Sequence, residues 1–476
     1  MATTFSEAME RAPLRAFQVA TFVICMLVLT CDGIDQQLLG IIAPKVIEAF
    51  GAAKSTFGLA MSASLVGFGL GAWSGGWLGD AVGRRWSLAI AAALFALATA
   101  GASLASGNQP TGFSINVFSL FSISLYAPQG VWELAAWRVV GGLGFGSAYA
   151  NAMAMTGEWL PARWRSVAVT TLSVGTPAGG TVVGWLAPGL VASYGWRGAF
   201  IALGLATSLV VLLIIAGLRD SPSFLLARGK PAEAKRVADK LLGRDVELMP
   251  ERHATDTAAG SPIGVLHRSN LRLNVGIGIT FAACALCAYG VLNWSTTFLT
   301  AKGFTLAQAG NAVSVGGLTS IVSSVAAGLL VHRFGSKAVM AAISATLVVS
   351  FILLAVSVER LPAAPSADDR LLVVVMVGIT AAIFSAGMAS MYALMTYGYP
   401  QSCRSAGIGF GIFVARVGAI SASGLGGWLL DLGHGSTVPY FAVLTVSAAF
   451  ISAAPLIVDR HVPPARRKQA IGLTAT

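Results

Sequence analysis

Ala16-Phe-Gln-Val-Ala-Thr-Phe-Val-Ile-Cys-Met-Leu-Val-Leu-Thr30-Cys31-Asp32-Gly33-Ile34-Asp35-Gln36-Gln37 is the stretch on which the reading of this chain turns. From Ala16 to Thr30 it carries no charge, and after Gln37 it resumes with Leu38-Leu39-Gly40-Ile41-Ile42. That is the pattern of a membrane-spanning helix, yet two carboxylates stand inside it. A carboxylate at the bilayer centre costs roughly 2.5–3.5 kcal/mol on insertion scales, so one that is kept there points to function. At spacing i, i+3, Asp32 and Asp35 fall on one side of a helix, the arrangement expected of a proton or ion site. The competing expectation is that one of them only caps a helix broken near Gly33.

Composition extends this reading outward to the whole chain. Hydrophobic residues make up 55% of the 476 and charged residues 11%, with a mean hydropathy of +0.75. A soluble protein of this size needs far more polar surface. Long apolar stretches recur throughout, the mark of a polytopic all-α membrane protein, and the 55 glycines suit close helix approach in lipid. The net charge of +11 is read from its distribution. On a twelve-helix topology with a cytoplasmic N-terminus, most of the Lys and Arg fall on the cytoplasmic side, while Arg138 and Arg416 lie within helices. This is the positive-inside pattern, so the basic balance reports orientation and no nucleic-acid partner is expected.

Cys25, Cys31, Cys284 and Cys287 fall in expected helices and Cys403 in a short loop. Cys284-Ala-Leu-Cys287 has redox spacing, but in a lipid-embedded helix these are small packing residues. No cleavable leader is expected, because the first helix runs into Asp32 rather than a small-residue cleavage site. No Ser/His/Asp set, metal cluster or phosphate loop is visible, so neither an enzyme nor a metal site is expected.

Helices are expected near 16–43, 57–78, 86–106, 134–157, 167–190 and 196–218, then near 271–299, 307–331, 337–357, 371–398, 405–429 and 438–458. The expected organisation is a six-helix half over 1–218, a charged cytoplasmic linker over 219–270, a second half over 271–459 and a tail over 460–476. Within the linker, Pro231 to Leu242 has an amphipathic helical period. Between helices 3 and 4, Phe113-Ser-Ile-Asn-Val117 and Phe121-Ser-Ile-Ser-Leu-Tyr126 alternate with period two, as in a strand or hairpin. A weak repeat links the halves: Gly76-Trp-Leu-Gly-Asp80-Ala-Val-Gly83-Arg84-Arg85 after helix 2, and Gly328-Leu-Leu-Val-His332-Arg333-Phe-Gly335-Ser-Lys337 after helix 8.

The first of these loops, Gly76-x-Leu78-x-Asp80-x-x-Gly83-Arg84-Arg85, resembles the signature of the major facilitator superfamily. The resemblance implies two pseudo-symmetric six-helix halves and a conformational latch made by Gly76, Asp80, Gly83, Arg84 and Arg85 with Glu158 and Arg404, pairing across the halves. Helix 4 carries Arg138-Val-Val-Gly141-Gly142-Leu-Gly144-Phe-Gly146, a smooth packing face with a cation that needs a carboxylate or an anionic substrate. The alternative for Arg138 is snorkelling to the outer interface. Glu158-Trp-Leu-Pro161-Ala-Arg163-Trp-Arg165 ends that helix in a charged turn.

Asp32-Gly33-Ile34-Asp35 resembles the Asp-Gly-x-Asp element of the aromatic acid:proton symporter family. Asn151, Tyr194-Gly-Trp-Arg197 with Phe200, Asp220-Ser-Pro-Ser-Phe-Leu225, Leu292-Asn293-Trp294, Tyr399-Pro400 with Arg404 and Gly407, and Arg416-Val-Gly418-Ala-Ile420 match in order and spacing. The resemblance implies an inner-membrane importer with cytoplasmic termini, functional as a monomer and driven by the proton gradient without another cofactor. Asp32 and Asp35 would carry the proton. Arg138, Asn151, Tyr289, Asn293, Trp294 and Arg416 are candidates for an aromatic carboxylate. Departures are His332 where the family usually has aspartate, Asp220 for glutamate and Ser223 for arginine. None of the histidines lies deep in an expected helix, which leaves the proton to the two aspartates. Gly175-Thr-Pro177-Ala-Gly179-Gly180 partly resembles an antiporter element and supports a proton-coupled exporter as the alternative. A transporter-like sensor is the remaining one.

Overall fold

In lipid every backbone polar group must be satisfied within the chain, and helices do this segment by segment. The computed structural model describes residues 3–4, 14–117, 121–161, 164, 168, 171–172, 174–242, 248–249, 264–362, 364–400 and 403–465. Among these, ten helices are long and apolar enough to cross a membrane. One of them, Gly175–Gly217, holds two spans, because its backbone leaves the helical region at Gly195 (φ 68°, ψ 175°). A further span, Gln129–Trp159, is rich in glycine and carries Glu133 and Arg138. Twelve spans result.

The spans are α1 (Ala16–Phe50), α2 (Lys54–Val82), α3 (Arg84–Gly101), α4 (Gln129–Trp159), α5 (175–194) and α6 (196–217). They continue as α7 (Leu271–Ala301), α8 (Leu306–Phe334), α9 (Ser336–Glu359), α10 (Ala367–Gly398), α11 (Arg404–Leu432) and α12 (Val438–Phe450). Several overrun the hydropathy limits, since polar caps carry a helix beyond its apolar stretch. At α8, Thr305 Oγ1 accepts from Gln308 N–H at 3.2 Å while Gln308 Oε1 accepts from Thr305 N–H at 2.9 Å. α12 stops short of the expected 458, giving way to turns at Ile451–Ser452 before a last short helix, Ala453–Ile457. The start expected for the fifth helix at 167, and with it Arg163 and Arg165, lies outside the described residues.

α1 runs unbroken through Gly33, which removes the reading of an aspartate capping a broken helix there. Gly33 serves close approach instead: a Cβ on it would stand 2.0 Å from the Thr176 carbonyl oxygen of α5. The same device joins α2 to α4, where Gly67 and Gly71 meet the carbonyls of Val139 and Leu143, and Gly142 and Gly146 meet those of Ser64 and Phe68.

Between α3 and α4 stands an antiparallel hairpin, β1 (Pro110–Val117) and β2 (Phe121–Pro128), paired from Pro110↔Pro128 to Val117↔Phe121. Its base is tied to α4 by Gln129 N–H to Gln109 O (2.9 Å), Gly130 N–H to Gly107 O (2.9 Å) and Trp132 Nε1–H to Thr111 O (3.0 Å). The amphipathic linker segment is a helix over Pro231–Leu242.

The first six spans meet the last six along three seams. Gly58 of α2 faces Gly424 of α11, Gly184 of α5 faces Gly310 and Ser314 of α8, and Gly40 of α1 faces Asn293 of α7. Ser314 Oγ donates to Thr181 O (2.8 Å), and Ser55 N–H donates to Asp431 Oδ2 (2.8 Å). All of these lie towards the end where α1 finishes and α2 begins. Toward the other end, where the described chain starts and finishes, the seams part. Gly69 and Gly76 repeat the azimuth of Gly58 on α2, and Gly328 that of Gly310 on α8, but nothing lies within 4 Å of where their Cβ atoms would be. Phe413 and Val417, on the Gly424 face of α11, are 68% and 52% exposed. The bundle is closed at one end and splayed at the other.

Candidate functional site

The two aspartates of α1 share a helix side but have different partners. Asp35 turns into the first six spans. Its carboxylate pairs with the Arg138 guanidinium of α4 and accepts from Thr99 Oγ1 of α3 at 2.8 Å. Arg138 Nη1 also donates to the Asp35 carbonyl (3.3 Å), and Nη2 donates to Ser64 Oγ of α2 (3.1 Å). Asp35 and Arg138 are 2% and 5% exposed, so neither charge is stable there without the other. Arg138 is therefore a buried partner of Asp35 rather than a snorkelling side chain.

Asp32 accepts from Gln36 Nε2–H at 2.7 Å, one turn along α1. Gln36 Oε1 in turn accepts from the Tyr289 hydroxyl of α7 at 3.3 Å, and Tyr289 Oη accepts from Arg416 Nη1 of α11 at 3.0 Å. The Arg416 guanidinium lies over the Phe68 ring of α2, 3.8 Å from its centroid. Tyr149 of α4 and Tyr392 of α10 are within electrostatic reach of Arg416, as is Asp32. The Phe68 and Tyr149 rings meet at a tilt of 57°, their centroids 5.9 Å apart. This group bridges the two sets of six spans at the apex of the splayed cleft. It offers a cation, an acid, phenol hydroxyls and aromatic faces, the chemistry that fits a flat organic anion.

Other candidates are placed elsewhere. Asn151 Nδ2 donates to Gly75 O (2.9 Å), Ser87 Oγ (2.9 Å) and Ser147 O (2.8 Å), binding α2, α3 and α4 together. Asn293 donates to Ser423 Oγ (2.7 Å), and Trp294 Nε1–H donates to Ser423 O (3.2 Å), so both tie α7 to α11. Trp294 is fully buried. Of the substrate candidates, Tyr289 and Arg416 come together at the apex, and Arg138 stands behind it on Asp35.

The sequence matches the Major Facilitator Superfamily profile over residues 25–383 and 303–475. The chain belongs to the Major Facilitator Superfamily. It is 27% identical over 457 residues to a gallate transporter of Pseudomonas putida, covering 95% of this chain and 94% of that one. To the 4-hydroxybenzoate transporter PcaK of Acinetobacter baylyi it is 26% identical, with 88% and 86% covered. Among solved structures it is similar to a D-xylose–proton symporter (TM-score 0.68, 17% identity, 92% and 97% covered). It is also similar to an inward-facing bacterial homologue of the lysosomal transporter Spinster (TM-score 0.62, 13% identity, 94% of each chain). It is a multi-pass secondary transporter and not an enzyme.

As a member of the Major Facilitator Superfamily it places its signature loop at the splayed end. Arg84 pairs with Asp80 (2.6 Å) and Glu158 (3.2 Å), and Ser221 Oγ donates to Glu158 Oε2 (2.6 Å). Arg85 N–H donates to Asp220 Oδ1 (3.1 Å), whose carboxyl burial pushes above its ordinary range. Gly83 holds φ 100° with Asp220 against it, and Gly76 has nothing near it. Among the described residues the cluster closes within the first six spans and the linker. The expected pairing across the halves falls on Arg404. The Arg404 side chain lies outside the described residues.

Phe68, Tyr149, Tyr392 and Gln36 escaped the sequence reading. The signal for the tyrosines was available: a phenol in a charge-free membrane stretch needs a partner for its hydroxyl. Tyr149 also repeats the azimuth of Arg138 on α4.

Proposed function

We propose that this transporter imports an aromatic, hydroxybenzoate-like carboxylate together with a proton by alternating access. The observation that carries the proposal is Arg416, held over Phe68 and on Tyr289 beside the acid Asp32. A benzoate-like substrate brings one negative charge and a flat apolar ring. Arg416 supplies the counter-charge, and Phe68, Tyr149, Tyr289 and Tyr392 supply walls and phenol hydroxyls. The gallate and 4-hydroxybenzoate transporters among its relatives carry ligands of this chemistry. Asp32 and Asp35 are the proton carriers in this reading. Asp35 has its charge matched by Arg138, which leaves Asp32 as the acid nearer the substrate.

Residues 1–218 and 271–459 are taken as the two rocking halves, joined by 219–270 and followed by the tail 460–476. The splayed end is then the cytoplasmic face of the inner membrane, with both termini there, and a monomer suffices. Moving one uncompensated charge involves about 2.3 kcal/mol per 100 mV. One proton per monoanion is therefore the electrically neutral minimum. The test is uptake of a labelled hydroxybenzoate panel into proteoliposomes under an inward proton gradient, beside Asp32→Asn. Gradient-driven accumulation of one acid, lost in the variant, is the expected result. Expulsion of a solute against the same gradient would establish export instead.

A further inference from the structure

Four side chains form one unbroken hydrogen-bonded file between the acid and the cation of the apex. Arg416 donates to Tyr289 Oη (3.0 Å), Tyr289 O–H donates to Gln36 Oε1 (3.3 Å), and Gln36 Nε2–H donates to Asp32 Oδ1 (2.7 Å). The file starts on α11, passes through α7 and crosses to α1, joining the two sets of spans. Its polarity is set at one end. An ionised carboxylate only accepts, so with Asp32 charged the Gln36 amide must present N–H to it and C=O to Tyr289. The Tyr289 proton is then committed to Gln36.

We infer that Gln36 is a positioning residue that reports the protonation of Asp32 to Tyr289, a binding residue beside Arg416. This rests on the proton-coupled aromatic-acid reading above. When Asp32 takes up a proton, its O–H donates to Gln36 Oε1 after the amide turns over. Gln36 N–H then donates to Tyr289 Oη. The Tyr289 O–H is released toward the cleft and, with Arg416, forms a two-donor seat for a carboxylate. Proton and substrate thus favour one another with no proton travelling along the file. Coupling between two ligands of one protein commonly amounts to about 5–150-fold in affinity, and one hydrogen bond to a charged acceptor is worth about tenfold or more.

Among the described residues, the titratable or charged groups facing Asp32 are Cys31 and Asp35 on α1, Arg138 and Tyr149 on α4 and Arg416 on α11. Tyr289 and Tyr392 stand around Arg416. Asp35 is already matched by Arg138 and Thr99. The turnover of Gln36 therefore follows Asp32 alone.

The test is equilibrium binding of 4-hydroxybenzoate to the full-length protein at about pH 6 and about pH 8, between which the benzoate carboxyl stays ionised. Wild type, Gln36→Met and Tyr289→Phe are compared. The wild-type Kd should rise about tenfold from the lower to the higher pH. In Gln36→Met, which keeps the side-chain length but neither donor nor acceptor, the ratio should fall to about half the wild-type value or less, leaving only the direct effect of the Asp32 charge on Arg416 and its anion; Tyr289→Phe should lower it likewise, whatever its absolute affinity. Variants that keep the wild-type ratio overturn the relay while leaving the substrate reading intact. A folded wild type that binds no aromatic acid overturns the reading beneath it.

Discussion

At the scale of single residues, this protein depends on side chains that are absent. Gly33 lets α1 pass against the Thr176 carbonyl, and so keeps Asp32 and Asp35 at their stations beside α3, α4 and α7. Gly33→Ala places a methyl 2.0 Å from that oxygen, and overpacking of this kind costs about 1–3 kcal/mol. Gly69, with nothing within 4 Å, is its control: there alanine should stabilise the helix by about 0.5–1 kcal/mol. Thermal unfolding in detergent should separate the two in opposite directions, and equal shifts would show that the close approach carries no weight. Spacing alone placed the aspartates on one side of α1, but it could not say that Thr99 and Arg138 claim one and Gln36 the other. Thr99 and Arg138 arrive from remote parts of the chain. Asn151 shows the converse, for an amide in a membrane helix resembles a ligand until its two hydrogens are found shared among the oxygens of Gly75, Ser87 and Ser147.

At the scale of elements, the repeat visible in the sequence becomes a repeat of backbone. Gly83 between α2 and α3 has φ 100°, ψ 148°, and Gly335 between α8 and α9 has φ 83°, ψ 155°. Each junction is covered by the segment following the last span of its set. Asp220 lies against Gly83, and Val462 lies against Gly335. In the second case Ser336 N–H donates to Val462 O (3.0 Å), Val462 N–H donates to Ser336 Oγ (2.9 Å), and His461 Nδ1 meets the same hydroxyl at 3.2 Å.

Burial, then the nearby Lys337 charge, pull the His461 pKa below its ordinary value. The folded contact thus favours neutral imidazole: its contribution is present above the usual histidine value, about 6.5, and is lost as pH falls from there through the lower value of the folded state. Relative to the intrinsic rate, which slows as pH falls, hydrogen exchange at Ser336–Val339 should show an excess of opening on acidification, and His461→Gln should remove the excess. An excess that survives in the variant would assign it to another group. The linker helix and the hairpin were legible beforehand because periods of 3.6 and 2 are local properties. The helix limits were less so, because caps such as Ser366, whose hydroxyl accepts from Asp369 N–H at 3.2 Å, start a span ahead of its apolar part.

At the scale of the whole molecule, the three seams hold one end shut while the other stands open. Their closeness is built from small residues, with Ser55, Lys54 and Asp431 adding polar contacts at the closed end. If transport requires that end to part, fixing it should stop the cycle. Cysteines introduced at Ser55 and Asp431 and oxidised should abolish uptake, and reduction should restore it. Undiminished uptake by a fully cross-linked protein would rule out opening there. Twelve spans could be read from hydropathy, but the splay could not, since Gly58, Gly69 and Gly76 are the same letter on the same face and only the distance to α11 tells them apart.

The splay also has a mechanical meaning. α11 is 29 residues long, and at about 1.5 Å per residue it forms an arm of about 40 Å. Turned about its contact with α2 at Gly424, the stretch back to Arg404 is about 30 Å long and sweeps its free end through about 5 Å for every 10° or so of rotation. Arg416 of the apex group stands about 12 Å from that fulcrum, where the same rotation moves it by about 2 Å, enough to make or lose a hydrogen bond. On the proposed relay, a shift that begins with one turned amide is enlarged about two- to threefold between Arg416 and the open end of α11.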